Sequence, residues 1–167
     1  MSQEFVSFAT SFLDGKGRFS LPATLRNTYF NGREDVKKIF LRLDDDRPMI
    51  EAFDELYLAT VHARLNKQFE NADARGEHFA LADKIARYNS AVVPVSIDSA
   101  GRFSLPERMA RFTRITDAIA VEGSGTVMRI WAPEDLLAET GLHRMVRAEA
   151  EDFLAEVQAR RASGDAA

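Results

Sequence analysis

A ten-residue phrase occurs twice in this 167-residue chain, as LDGKGRFSLP at residues 13–22 and as IDSAGRFSLP at residues 97–106. An internal repeat constrains the fold before composition does, because two copies of one structural unit tend to share a core. Aligning Asp14 with Asp98 brings Gly17 onto Gly101 and Arg18 onto Arg102. It also brings Phe19, Ser20, Leu21 and Pro22 onto Phe103, Ser104, Leu105 and Pro106. Past the proline the copies keep a common plan with less identity. Each continues into a short helical segment, PATLRNTYF or PERMARF, with the proline suited to the first helical position. Each then gives a strand, a tight polar connection and a second strand: VKKIFLRL, DDDRP and MIEAF in the first copy, DAIAVE, GSG and TVMRIW in the second. Both end on an acidic helix start, FDEL or PEDL, which suits the positive end of a helix dipole.

The rest reads as helix. Leu58, Val61, Leu65 and Phe69 recur at spacings of three and four, as do Leu81, Ile85 and Tyr88. The break ADARG at 72–76 divides them into a helical hairpin. After the second copy, Leu142, Met145, Val146, Phe153, Leu154 and Val157 stripe one face of a long helix, and ASGDAA is expected to fray. The expected layout is a module over 5–53, a linking helical hairpin over 54–90, a second module over 91–135 and a C-terminal helix and tail over 136–167. Strand-rich modules joined by helices make an α+β fold.

In both phrases an aspartate closes one strand and an arginine opens the next. An aspartate at that place accepts backbone N–H bonds from two or three residues on and fixes a turn. Gly17 and Gly101 stand where a short hairpin loop needs a positive φ, which glycine adopts without steric cost. Lys16 occupies the first tip and Ala100 the second. Two roles for the arginines stand open. Arg18 and Asp14 form a salt bridge that holds the turn, worth ~0–1 kcal/mol on an exposed surface. Or the arginines face a polyanion, to which a planar guanidinium presents two donors at once.

Charge distribution bears on the second role. The chain carries a net charge of −4, which by itself argues against a polyanionic partner. Yet residues 14–42 hold seven Lys or Arg (16, 18, 26, 33, 37, 38, 42) against three acids, and residues 102–114 hold four Arg against Glu107 alone. The acidic excess lies in Asp44, Asp45 and Asp46 and around residues 149–156.

The paired D-x-x-x-R phrases and the plan around them resemble the MraZ family of bacterial transcriptional regulators, and each module is similar to half of an AbrB-type swapped-hairpin barrel. The resemblance implies a pseudo-two-fold β-barrel of two such modules. It implies a regulator that binds G-rich direct repeats in double-stranded DNA at the promoter of the division and cell-wall gene cluster, as a closed ring of many subunits. Carried onto this sequence, the DNA-binding residues are Asp14, Lys16, Gly17 and Arg18 in the first copy and Asp98, Gly101 and Arg102 in the second. Ala100 makes the second tip less basic, so the first copy is expected to carry most of the phosphate contact. The segment FVSFATSF departs from the family in lacking a glycine–acid pair before the first motif.

Such a ring would let several weak tips act together on repeated half-sites, with the acidic helices on another face limiting non-specific adhesion. A protein-interaction module built on the same barrel is the competing function. An enzyme finds little support: there is no cysteine, no His–carboxylate constellation and no phosphate loop. His62, His78 and His143 lack the spacing of a metal site, and neither a metal nor a cofactor is expected. Gly123 and Gly125 read as a hairpin connection, and Asp44–Asp46 as a solvated turn. Trp131 and Phe112 read as core or subunit-contact residues. Without cysteine, a signal peptide or a spanning apolar run, the chain is expected in the cytoplasm, away from membranes, and the resemblance implies a place at the nucleoid.

Overall fold

In the computed structural model, residues 4–164 are described. The first repeat copy forms β1 (Phe8–Phe12), β2 (Phe19–Ser20), α1 (Ala23–Phe30), β3 (Lys38–Leu43) and β4 (Met49–Phe53). The helical hairpin is α2 (Glu55–Ala74) and α3 (Leu81–Ser90). The second copy repeats the order as β5 (Val92–Ser96), β6 (Arg102–Phe103), α4 (Glu107–Thr113), β7 (Ala118–Ser124) and β8 (Val127–Trp131). It is followed by α5 (Pro133–Leu137) and α6 (Arg144–Ser163). Among the described residues no helix is long and apolar enough to cross a membrane.

The strand pairing explains why the phrase occurs twice. The large sheet runs β1-β7-β8-β4-β3-β5, with every neighbouring pair antiparallel. Exchanging the two copies element for element returns the same order, so the sheet has pseudo-two-fold symmetry. The first strand of each copy pairs with the third strand of the other: Thr10 with Ala120, and Pro94 with Phe40. The copies meet at the centre, where Glu51 faces Arg129 and Ile50 faces Ile130. Neither copy completes its own sheet. The α+β class holds, but strand pairing does not close a barrel: β1 and β5 are the two edges, and β2 and β6 form a separate two-stranded ribbon. The physical reason lies in the repeated turn. It carries the chain away from the large sheet after β1 and after β5, so the return strands pair with each other instead of bridging the edges.

The main core lies on one face of the large sheet. Ile39 and Leu41 of β3 alternate with partly exposed Phe40 and Arg42, so a period of two turns the apolar set inward. They pack with Ile50, Ile119, Val121 and Ile130, and with Leu25 and Tyr29 of α1 and Met109 of α4. Phe19 and Phe103, opposite each other in the ribbon, cap that core. On the other face, Met49, Ala120 and Trp131 pack against Leu136 and Ala150. Truncating a buried leucine or isoleucine in such a core costs about 2–5 kcal/mol.

Several local expectations shift. Pro22 and Pro106 occupy the N-cap positions of α1 and α4, one residue earlier than expected, with extended ψ of 149° and 131°. The C-terminal stripe is narrower than expected. Leu142 packs from the loop before α6, Met145 is exposed, and Ala150, Phe153 and Val157 are the buried face. The helix does not fray at residue 162; it runs through Ser163 to Gly164, a left-handed cap at φ 76°, and residues 165–167 lie outside the described residues. His143 is the N-cap of α6, its Nδ1 accepting from Met145 N. Trp131 is core, whereas Phe112 is 66% exposed.

Candidate nucleic-acid interface

Each tip is built by its aspartate. Asp14 Oδ1 accepts from the backbone N–H of Lys16 at 2.8 Å and of Arg18 at 2.9 Å. Asp98 Oδ1 accepts from Ala100 at 3.0 Å and Arg102 at 2.9 Å. Backbone bonds close the loops, from Gly17 N to Asp14 O and from Gly101 N to Asp98 O. Both glycines have positive φ, 74° and 77°. The second carboxylate oxygen takes the arginine: Arg18 Nε donates to Asp14 Oδ2 at 3.1 Å and Arg102 Nε to Asp98 Oδ2 at 2.7 Å. Both carboxyls are held below their ordinary value, chiefly by the backbone N–H of Arg18 or Arg102, with burial opposing and the arginine side chain adding to the effect. Each aspartate therefore stays ionised and fixes its arginine.

The ribbon sets the two tips side by side. Phe19 pairs with Phe103 and Ser20 with Arg102, and Leu21 N donates to Gly101 O. Arg18 consequently reaches both carboxylates, with Nη2 3.0 Å from Asp14 Oδ2 and Nη1 3.8 Å from Asp98 Oδ2. The two arginines are not equivalent. Arg18 is 26% exposed between two carboxylates, while Arg102 is 43% exposed and held through Nε alone. Among the described residues, neither terminal nitrogen of Arg102 has a hydrogen-bond partner. Lys16 is exposed and makes no ion pair among the described residues. All seven residues singled out from the sequence (Asp14, Lys16, Gly17, Arg18, Asp98, Gly101 and Arg102) thus belong to one paired feature.

Arg26 is the residue the sequence did not single out. From α1 of the first copy it crosses to the second tip, where Nη1 donates to Ala100 O at 3.4 Å. Its stem covers Gly101 so closely that a Cβ there would lie 2.9 Å from Arg26 Cδ, whereas Gly17 has nothing within 4 Å. In the repeat alignment Ala110 stands in the place of Arg26. The second tip is braced and the first is open. PATLR against PERMA was the available signal, legible only once the copies are known to interleave.

The basic segments are less free than their composition suggests. Arg33 pairs with Asp54 at 3.0 Å, and Arg114, at the end of α4, pairs with Asp135. Both aspartates are buried at the start of the helix that follows each copy. Arg42 is bound to Asp45, and Arg111 to Glu107. Asp44 accepts from the backbone N–H of Asp46 and Arg47 and pairs with Arg47, as a turn-forming residue does. Among the described residues there is no cluster of His, Cys, Asp and Glu suited to a metal.

The chain is 32% identical over 122 residues to the transcriptional regulator MraZ of Gluconacetobacter diazotrophicus, spanning 72% of this chain and 73% of that protein. It is 30% identical to the MraZ of Xanthobacter autotrophicus, over 80% of each chain, and 31% identical to that of Azorhizobium caulinodans, over 78% of each. The chain belongs to the MraZ family. No protein-family model matches it. The relatives are named as transcriptional regulators, and the matches to MraZ proteins span 72–80% of the chain.

Proposed function

We propose that this protein is a transcriptional regulator that binds double-stranded DNA through its two hairpin tips. The β2–β6 pairing carries the proposal, because it sets Lys16, Arg18 and Arg102 side by side on two rigid loops. Asp14, Gly17, Asp98 and Gly101 shape those loops. The tips have distinct tasks. Arg102, fixed at Nε with its terminal nitrogens open to a ligand, suits the paired acceptors O6 and N7 of guanine in the major groove. Lys16 is a mobile point charge suited to phosphate. Arg18, shared between two carboxylates, mainly holds the tips together. This division keeps the phosphate contact on the first copy and adds base contact by the second, which the freer guanidinium of Arg102 supports.

One pair of tips neutralises few phosphates, and its affinity would be low. Assembly of the chain into a ring would present many pairs to repeated G-rich half-sites, raising the effective concentration of each. The proposed target is the promoter of the division and cell-wall gene cluster. The second reading, a protein-interaction module, is favoured by one observation: the Asp14–Arg18 and Asp98–Arg102 pairs are closed within the chain. A gel shift with a G-rich direct-repeat duplex and a scrambled duplex separates the two. DNA recognition requires retardation of the first at concentrations where the second stays free.

A further inference from the structure

A second basic site lies away from the tips, where the helical hairpin meets the outer face of β3. We propose that this cleft binds a small phosphorylated molecule of nucleotide size, with the cations of the hairpin on its phosphates and its ring against the apolar wall. The inference does not rest on DNA binding by the tips.

The cleft has a volume of about 490 Å³, within the ordinary range for small-molecule sites. Tyr57, Val61 and Leu65 of α2 form an apolar wall. Arg64, Lys84 and Arg87 bring three cations, and a fourth, Arg42, lies 4.0 Å from Glu51 and beside the Asp45 carboxylate. That carboxylate is already taken by the Nη2 of Arg42, at 3.0 Å to both oxygens. Arg64 and Arg87 make no ion pair among the described residues, and Lys84 lies over the ring of Phe79 at 5.1 Å. Uncompensated cations gathered around a concave site raise the local concentration of anions.

Two of the lining residues carry a buried polar atom without a partner. Arg42 lies over the Tyr88 ring at 4.8 Å, and both Arg42 Nε and Tyr88 Oη are buried without a hydrogen-bond partner. A buried donor left unmade is costly and is the exception in folded proteins. Burial pushes the Tyr88 phenol up, so its O–H stays a donor at neutral pH. The cations around the cleft match a ligand that brings negative charge. The apolar wall gives such a ligand somewhere to place a planar ring.

The test is calorimetric titration of the full chain with ATP, with inorganic pyrophosphate as the ring-free arm. Saturable binding of one ATP per chain is expected, weaker for pyrophosphate. Arg64→Ala and Arg87→Ala each weaken ATP binding about tenfold, the scale of removing one charged hydrogen bond. Both residues are exposed, so these variants keep the fold. Lys16→Ala and Arg102→Ala leave ATP binding intact. Absence of saturable binding at millimolar ATP overturns the proposal, as does binding indifferent to Arg64 and Arg87. Loss of ATP binding only in the tip variants also overturns it, by placing the nucleotide on the hairpins.

Discussion

Arg26, on the helix of the first copy, lies across Gly101, in the tip of the second. The contact links the halves of the chain at the repeated turn itself. It also breaks their symmetry, because Ala110 in the corresponding place leaves Gly17 uncovered.

Gly17→Ala and Gly101→Ala should therefore differ. Both force an L-residue to positive φ, at roughly 1–2 kcal/mol. The added Cβ at residue 101 also meets the Arg26 stem, so Gly101→Ala should lower the melting temperature further. In an Arg26→Ala background that extra loss should shrink, as a double-mutant cycle reads directly. Equal losses in both backgrounds would show that the brace contributes nothing.

Acidification should weaken the tips. Asp14 and Asp98 have folded-state values below their unfolded ones, so their contribution is present above the unfolded value of roughly 4. It is lost as pH falls through the folded values. Denaturant unfolding across pH 6 to 2 should show a smaller fall for the Asp14→Asn, Asp98→Asn double variant than for the wild type. Parallel curves would mean that the two carboxylates play no part in acid stability.

Arg33 and Arg114 should matter for stability and not for DNA. Each partners a buried aspartate, and Asp54 also caps α2 by accepting from Tyr57 N. Arg33→Ala leaves Asp54 buried without its charged partner, at about 1–3 kcal/mol. Thermal unfolding should move by several degrees while duplex affinity at 25 °C stays within twofold. A large affinity loss in a folded Arg33→Ala protein would extend the interface to the loop after α1.

Lys16→Ala should flatten the dependence of log K on log salt by roughly 0.9 per bound chain, as expected when one phosphate is no longer neutralised. Preference for a G-rich over a scrambled duplex should survive. A lost preference with an unchanged salt slope would give Lys16 the role assigned to Arg102.

Much of this architecture was legible because the repeated phrase is local. Asp14, Gly17 and Arg18 specify a turn by contacts within five residues, and β3, β4, β7 and β8 announce themselves by runs such as IFLRL and VMRIW. What could not be read was partner choice between strands. Phe8 and Phe12 of β1 call for a strand partner without saying which, and the neighbour is β7 of the other copy. The brace by Arg26 and the ribbon joining β2 to β6 follow from that exchange, so they were equally hidden. The basic count misled for a related reason: Arg33 and Arg42 are engaged by Asp54 and Asp45, and a sequence count does not pair charges. The cleft between α2, α3 and β3 left no motif, since its cations come from separate elements.

The most direct test of the central claim is a titration of a G-rich direct-repeat duplex, with a scrambled duplex beside it, by wild type and Arg102→Ala. The account predicts that Arg102→Ala stays folded and keeps the wild-type assembly mass. It should lose about 1–3 kcal/mol per half-site of discrimination. Full discrimination by Arg102→Ala, or none by the wild type, would contradict it.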